Sequence, residues 1–208
     1  MLDHLIELCK ERKIFLRKRK NWKIKALSVL LYHMGLSYRK TSAVLNDMES
    51  FSYEAVRQWY TRCHDLFSVE RGNRKAVAVD ETKVKIEHKQ IYIWNAIDVD
   101  KKVILAMHIS ITRTSFDAIH VLRKVLNTCT NKPIILVDRG PWYRWALQRL
   151  GLQFQHQTFG ERNAIEGWYS LYKARVKRFW KRFPYRSSLE SVMNWSMAWI
   201  AIYNLEVR

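Results

Sequence analysis

Ala76-Val77-Ala78-Val79-Asp80-Glu81-Thr82-Lys83-Val84-Lys85-Ile86 is the stretch on which the fold turns. Its first four residues form a continuous apolar run, the pattern of a strand buried on both faces. The run ends at Asp80. Thr82, Val84 and Ile86 then alternate with Lys83 and Lys85, a period of two. A second buried strand ends in the same way: Pro133 opens Ile134-Ile135-Leu136-Val137, and Asp138 follows. Between these two, Gln90 to Val99 and Val103 to Ser110 read as strands joined by a turn at Asp98 to Lys102. Ser115 is read as the cap of a helix to about Thr128, with Ala118, Ile119, Leu122, Val125 and Leu126 inward. Pro141 starts a helix that Gly151 ends, and Leu152 to His156 reads as a short fifth strand. The element order is β-β-β-α-β-α-β-α. A helical crossover between the third and fourth strands makes strands one and four parallel neighbours. Asp80 and Asp138 are then expected side by side at their C-terminal ends, where ligands bind in open mixed sheets.

The helix after the fifth strand supplies a third acid. No Gly or Pro interrupts Trp168 to Phe183, which predicts one helix over that span. At 100° per residue, Trp168, Leu171, Tyr172, Val176, Phe179 and Phe183 form an apolar stripe. Glu166, Ser170, Lys173 and Lys177 fall on a second stripe. From Arg162 through Arg186 there are eight Lys/Arg and a single acid, Glu166. A solvated face with compensating charges is the plain reading of that stripe. A lone carboxylate near the start of a basic helix also fits a functional acid. A last helix is predicted from about Ser187 to Leu205.

Upstream the pattern is all helical. Ala26, Leu27, Leu30, Leu31 and Met34 recur at helical spacing, and Gly35 stops the run. Ser37 caps a helix at Tyr38 to Leu45, and Ser52 caps another at Tyr53 to Cys63. This is the pattern of a helix-turn-helix, whose last helix enters the major groove. Tyr53, Glu54, Arg57 and Gln58 are its expected exposed positions, and Arg57 and Gln58 are types that read guanine and adenine edges. A three-helix bundle used for protein contacts gives the same periodicity. The polar stretch Phe67 to Lys75 separates a helical domain, residues 1–66, from an α/β domain, residues 74–208.

With 208 residues, 48% of them hydrophobic, the chain can bury a core. Its formal net charge of +18 calls for a polyanionic partner; nucleic acid is the usual one and a membrane surface the alternative. Arg17-Lys18-Arg19-Lys20 is a basic run that fits an arm or a phosphate contact. No apolar run is long enough to span a bilayer, and the N-terminus does not have a signal-peptide pattern. Cys9, Cys63 and Cys129 are widely spaced, which points to reduced, buried thiols and a cytoplasmic, nucleoid-associated protein. No Gly-rich phosphate loop is present, which argues against nucleotide hydrolysis.

Acids brought together repel and resist ionisation. Divalent cations resolve that conflict. Mg²⁺ prefers carboxylate oxygens and works beside phosphates. A pair of such ions about 3.5–4 Å apart can activate the attacking oxygen and stabilise the leaving one at phosphorus. Asp80, Asp138 and Glu166 are therefore the candidate catalytic and metal-binding residues, with Lys173 placed to hold a DNA phosphate. Taken singly, each Asp also fits a strand-end turn residue. Glu81, on the opposite face of its strand, reads as a supporting or solvated residue. Trp142, Trp145, Trp168 and Trp180 read as core aromatics, although such rings also stack on unpaired bases.

Several of these segments carry a resemblance. Leu36-Ser37-Tyr38-Arg39, Val79-Asp80-Glu81-Thr82, Val137-Asp138 with Tyr143, and Asn163-x-x-Glu166 with Lys173 resemble the DDE transposases of prokaryotic insertion-sequence family six. The likeness covers nearly the whole chain. It implies a ribonuclease H-like five-stranded mixed sheet flanked by helices, behind an all-α helix-turn-helix domain. It also implies strand cleavage by water and strand transfer by a 3′-hydroxyl, with Mg²⁺ or Mn²⁺ and no covalent enzyme–DNA bond. Terminal repeats and target DNA are the implied partners, contacted by Arg39, Tyr53, Arg57, Gln58, Lys173 and Lys177, and two ends imply a homodimer or larger. One departure is the 28-residue step from Asp138 to Glu166, shorter than is usual in the family. Two alternatives therefore stand beside the transposase: a decayed copy that binds DNA without cutting, and a nuclease of the same fold without strand transfer.

Overall fold

The computed structural model describes residues 1–15, 19–157, 160, 163–179, 183 and 187–207. In chain order its helical start comprises α1 (Leu2–Glu11), α2 (Trp22–His33), α3 (Tyr38–Leu45) and α4 (Tyr53–Arg62), then a 3-10 turn at Cys63–Leu66. There follow β1 (Ala76–Ile86), β2 (Lys89–Asp98), β3 (Ile104–Ser110), α5 (Ser115–Asn127), β4 (Ile134–Val137), α6 (Pro141–Leu150), β5 (Phe154–His156), α7 (Asn163–Lys177) and α8 (Leu189–Glu206). These divide into two compact units, Met1–Ser68 with Glu190–Arg208, and Val69–Leu189.

In the helical unit the expected caps are made. Ser37 Oγ accepts from the Lys40 N–H (3.1 Å) and Ser52 Oγ from the Ala55 N–H (3.2 Å). Gly35 takes φ +126° just past α2, a conformation that side chains with a Cβ avoid. The core gathers aromatic rings: Tyr32 stacks on Tyr38 at 4.0 Å, and His33 Nδ1 lies 3.2 Å from the Tyr60 hydroxyl. The C-terminal helix α8, assigned by sequence to the second domain, belongs to this first unit. Trp195 Nε1 donates to the Tyr32 hydroxyl at 3.0 Å, and the Trp199 ring lies 4.1 Å from His33. Cys9, Cys63 and Cys129 are all buried free thiols. Among the described residues no helix is long and apolar enough to cross a membrane.

The second unit is a mixed five-stranded sheet in the order β3-β2-β1-β4-β5, the ribonuclease H-like arrangement. β1 pairs antiparallel with β2 and parallel with β4, as the crossover requires, and β4 pairs parallel with β5. Val77, Val79, Trp94, Ala96 and Val137 pack under α5 and α6, against Ala118, Leu122, Tyr143, Ala146 and Leu147. That layer is one face of the sheet. The alternate residues of β1 and β2 point to the other face, on which α7 lies. Asp98 closes the β2–β3 turn: its Oδ1 accepts from the N–H groups of Asp100 and Lys101 (both 3.0 Å), and Arg74 Nη1 pairs with its Oδ2 at 2.8 Å.

Three local expectations change. The cap of α5 is Thr114, not Ser115: its side chain accepts from the Asp117 N–H while Asp117 Oδ2 accepts from the Thr114 N–H, a reciprocal box. α7 stops at Lys177, short of Phe183. Arg178 and Phe179 donate to the carbonyls three residues back, tightening the last turn. Phe183 then joins the open edge of β1, beyond the short β4, through its N–H to the Lys85 carbonyl at 2.9 Å. The buried stripe of α7 is Ile165, Trp168, Tyr169, Tyr172, Arg175 and Val176, whereas Leu171 lies off its edge and is 56% exposed. Trp180 lies outside the described residues.

Candidate active site

Both aspartates lie two residues past the last β1–β4 pair: Asp138 directly follows β4, whereas Asp80 is inside β1, which runs on to Ile86 instead of ending at the acid as the sequence suggested. The parallel register pairs Ala76 with Ile134, Val77 with Ile135 and Ala78 with Leu136. Continued by two residues, that register sets Asp80 opposite Asp138, on the same face. Adjacent strands are about 4.8 Å apart, so that continuation brings the two backbones close at one edge. Both residues are half-buried. Each uses one oxygen locally: Asp80 Oδ1 accepts from the Glu81 N–H (2.9 Å) and Asp138 Oδ1 from the Gly140 N–H (2.8 Å). The second contact closes the turn that launches α6 at Pro141. The Asp138 carbonyl lies 2.9 Å from His156 Nδ1 on β5.

Tyr169 ties α7 to this edge. Its hydroxyl lies 2.7 Å from the Asp80 carbonyl and 3.0 Å from that of Ile93, and it accepts from Asn95 Nδ2 at 3.2 Å. Burial, and then the charge of Asp80, push the Tyr169 phenol well above its ordinary pKa, so it stays a donor. Glu166 is exposed and three residues before Tyr169, on the adjoining strip of the same helix. Lys173 is exposed one turn later, with Nζ 5.8 Å from the Tyr169 ring centre, and Lys177 is exposed one turn beyond that.

Among the described residues no three His, Cys, Asp or Glu side chains stand within joint ligating distance of one cation. The donor set nonetheless suits a hard divalent ion. Asn95, directly across from Asp80 in β2, is fully buried, and its Oδ1 is a buried oxygen without a hydrogen-bond partner. An unsatisfied oxygen acceptor on the cross-strand partner of Asp80 is a donor type that suits Mg²⁺ or Mn²⁺.

Glu81 does point away from Asp80, but it is neither solvated nor idle. Its side chain is 1% exposed and forms an ion pair with Arg113, and its Oε2 accepts from the Tyr143 hydroxyl at 2.5 Å. Sequence reasoning missed Tyr169, Asn95 and Arg113. The one available signal was Asn95, a polar residue inside the otherwise apolar run Ile91 to Ile97. Trp142 and Trp168 are packed as expected. Trp145 is not core: it is 46% exposed and meets Phe116 edge-on at 5.7 Å.

In the helical unit Tyr53, Arg57 and Gln58 are exposed on α4, and the Arg39 guanidinium stacks 5.1 Å from the Tyr53 ring. Glu54 holds both candidate base readers, with Arg57 Nη2 at 2.6 Å and Gln58 Nε2 at 3.3 Å. The hydrogen bond from Arg57 lowers the pKa of Glu54.

The family model of the DDE domain of IS240-type transposases matches residues 74–200. An uncharacterised protein of Methanocaldococcus jannaschii is 44% identical over 195 residues, 93% of this chain and 91% of the relative. One of Aquifex aeolicus is 41% identical over 73 residues, 35% of this chain and 60% of the relative. Among solved structures, the catalytic core domain of BIV integrase aligns at TM-score 0.46 and 12% identity, covering 62% of this chain and 83% of that one. The HTLV-2 integrase catalytic core in complex with magnesium aligns at TM-score 0.47 and 14% identity, covering 62% and 86%.

Proposed function

We infer the chemistry from one premise: the chain belongs to the DDE transposases of insertion-sequence family six, through the DDE domain matched over residues 74–200. Its general activity is transposase-type cleavage and transfer of DNA. In the finer reading, Asp80, Asp138 and Glu166 are the catalytic acids and hold two Mg²⁺ or Mn²⁺ ions at the ends of an insertion sequence. When bound, such ions lower the pKa of the attacking water or 3′-hydroxyl and offset charge on the leaving oxygen. The chain's own residues do the positioning. Tyr169 fixes the helix that carries Glu166 against the backbone of Asp80. Lys173 and Lys177 offer point charges to DNA phosphates along the same helix. On the helical unit, Arg57 and Gln58 read base edges, and Tyr53 and Arg39 anchor the duplex. Two DNA ends require two sites, so the working form is a dimer or larger, in the cytoplasm on the nucleoid.

The observation that supports this reading is the parallel register of β1 and β4, whose last pair lies two residues before both Asp80 and Asp138, with α7 tied to the Asp80 backbone. The 28-residue step between Asp138 and Glu166 favours one alternative, a decayed copy that binds without cutting. A supercoiled plasmid carrying the gene with its native flanks, incubated with the full chain and Mg²⁺, separates them. The transposase nicks the plasmid and yields joined products. Asp80→Asn, Asp138→Asn and Glu166→Gln each abolish nicking and leave plasmid binding intact. Full activity in any one variant removes that residue from the site. Binding without nicking by the unaltered chain selects the decayed copy, and nicking without joined product selects a nuclease.

A further inference from the structure

Glu81 presents a feature that the reaction does not by itself require: a carboxylate buried in the layer directly beneath the candidate acids. Both of its oxygens are engaged from distant parts of the chain. Arg113, in the loop between β3 and α5, gives Oε1 two N–H groups, Nη2 and, at 2.8 Å, Nε. Tyr143 donates to Oε2 at 2.5 Å. The Arg113 guanidinium lies 3.6 Å from the ring centre of Trp142. Trp94, the cross-strand neighbour of Glu81, meets the Trp142 and Tyr143 rings edge-on at 6.4 and 5.9 Å.

The positions of these residues in the fold matter more than the bonds themselves. Glu81 follows Asp80 on β1. Trp142 and Tyr143 are the second and third residues of α6, which starts three residues after Asp138. The cluster therefore ties the chain just past one acid to the chain just past the other, on the face opposite to both. A buried ion pair stabilises no better than well-packed apolar side chains of the same volume. What it adds is direction: a two-pronged guanidinium and an O–H fix the angle and distance of the carboxylate they hold.

We propose that Glu81, Arg113 and Tyr143 form a positioning cluster that sets the separation of Asp80 and Asp138, and with it the affinity of that edge for divalent cations. The proposal rests on the reading of those two aspartates as cation ligands. Loosening the cluster lets β1 at Asp80 and the start of α6 drift apart, and the two carboxylates lose the spacing that two oxygens on one ion demand. Groups that orient ligands from behind typically change metal affinity about 10–100-fold when removed.

The test is Mn²⁺ binding to the full chain, read from the electron paramagnetic resonance of free Mn²⁺, alongside Mn²⁺-dependent plasmid nicking. Glu81→Gln keeps the shape and removes the charge, Arg113→Lys keeps the charge and removes the fork, and Tyr143→Phe removes one O–H. Plasmid binding in EDTA and cooperative melting report that each variant is folded. The expected result is Mn²⁺ affinity weakened about 10-fold or more in Glu81→Gln, less in Arg113→Lys and Tyr143→Phe. The half-saturating Mn²⁺ for nicking shifts in step, and high Mn²⁺ rescues the rate. Unchanged affinity in folded Glu81→Gln and Arg113→Lys overturns the proposal, as does a lower nicking rate that Mn²⁺ cannot rescue. Asp80→Asn separates the two levels. If it binds Mn²⁺ as the unaltered chain does, the aspartates are not ligands and the underlying reading fails. If it loses Mn²⁺ while Glu81→Gln keeps it, the positioning cluster alone is wrong.

Discussion

Tyr169 has one proton and three polar neighbours, and its place in the molecule follows from that. It can donate to the Asp80 or the Ile93 carbonyl and accept from Asn95, so it joins α7 to β1 and β2 at once. Tyr169→Phe leaves these buried groups short of a partner, at a cost of about 1–3 kcal/mol. We expect that loss in urea denaturation, together with a fall in nicking larger than any fall in plasmid binding. His108 gives a second prediction at this scale. Burial, with the charge of Lys124 beside it, lowers its pKa below the usual 6.5, against an opposing pull from Asp117. A base with a lowered folded pKa is protonated more readily in the unfolded chain. The stability it confers is present above pH 6.5 and is lost as pH falls through the lowered value. The melting temperature should therefore drop between pH 7.5 and 5.5, and His108→Gln should flatten that drop. If the variant drops as steeply, His108 is not the group responsible. Asp80 and Asp138 were legible in the sequence because each ends an apolar run, a local pattern. Tyr169 and Arg113 were not, because their partners lie far along the chain, Asp80 at a separation of 89 residues and Glu81 at 32.

At the scale of elements, local chemistry predicted starts better than ends. Ser37 and Ser52 cap the helices they were expected to cap, since a side-chain oxygen three residues before an N–H is a short-range event. Ser52→Ala should destabilise α4 by about 1 kcal/mol and weaken the duplex binding proposed for Arg57 and Gln58, measured by chemical denaturation and a gel-shift titration. An unchanged denaturation midpoint would show that the cap is already replaced by water. The choice of Thr114 over Ser115 needed the Asp117 carboxylate as arbiter, and both residues are good caps by type. α7 ends early for a reason that no helical periodicity contains. β4 is four residues long, so the far half of β1 has an uncovered edge, and the chain leaves the helix to meet it at Phe183. The parallel pairing of β1 and β4 was legible, because crossover connections leave few choices.

At the scale of the molecule, charge and chain order dominate. With a net charge of +18, DNA affinity should fall steeply with salt, and Lys177→Ala should reduce the slope of log affinity against log salt by about 1. A slope unchanged in that variant places Lys177 away from phosphate. Sequence composition made the polyanionic partner legible and left the chain order of the units hidden, since the apolar faces of α7 and α8 look alike until their neighbours are known. Trp195 belongs beside Tyr32, 163 residues earlier. The α/β unit is thus spliced into the middle of the helical one. A ribosome making this protein finishes the entire sheet before it supplies the strip of tryptophans that the first four helices await. During synthesis, the unit whose sequence opens the chain is necessarily the last to be completed.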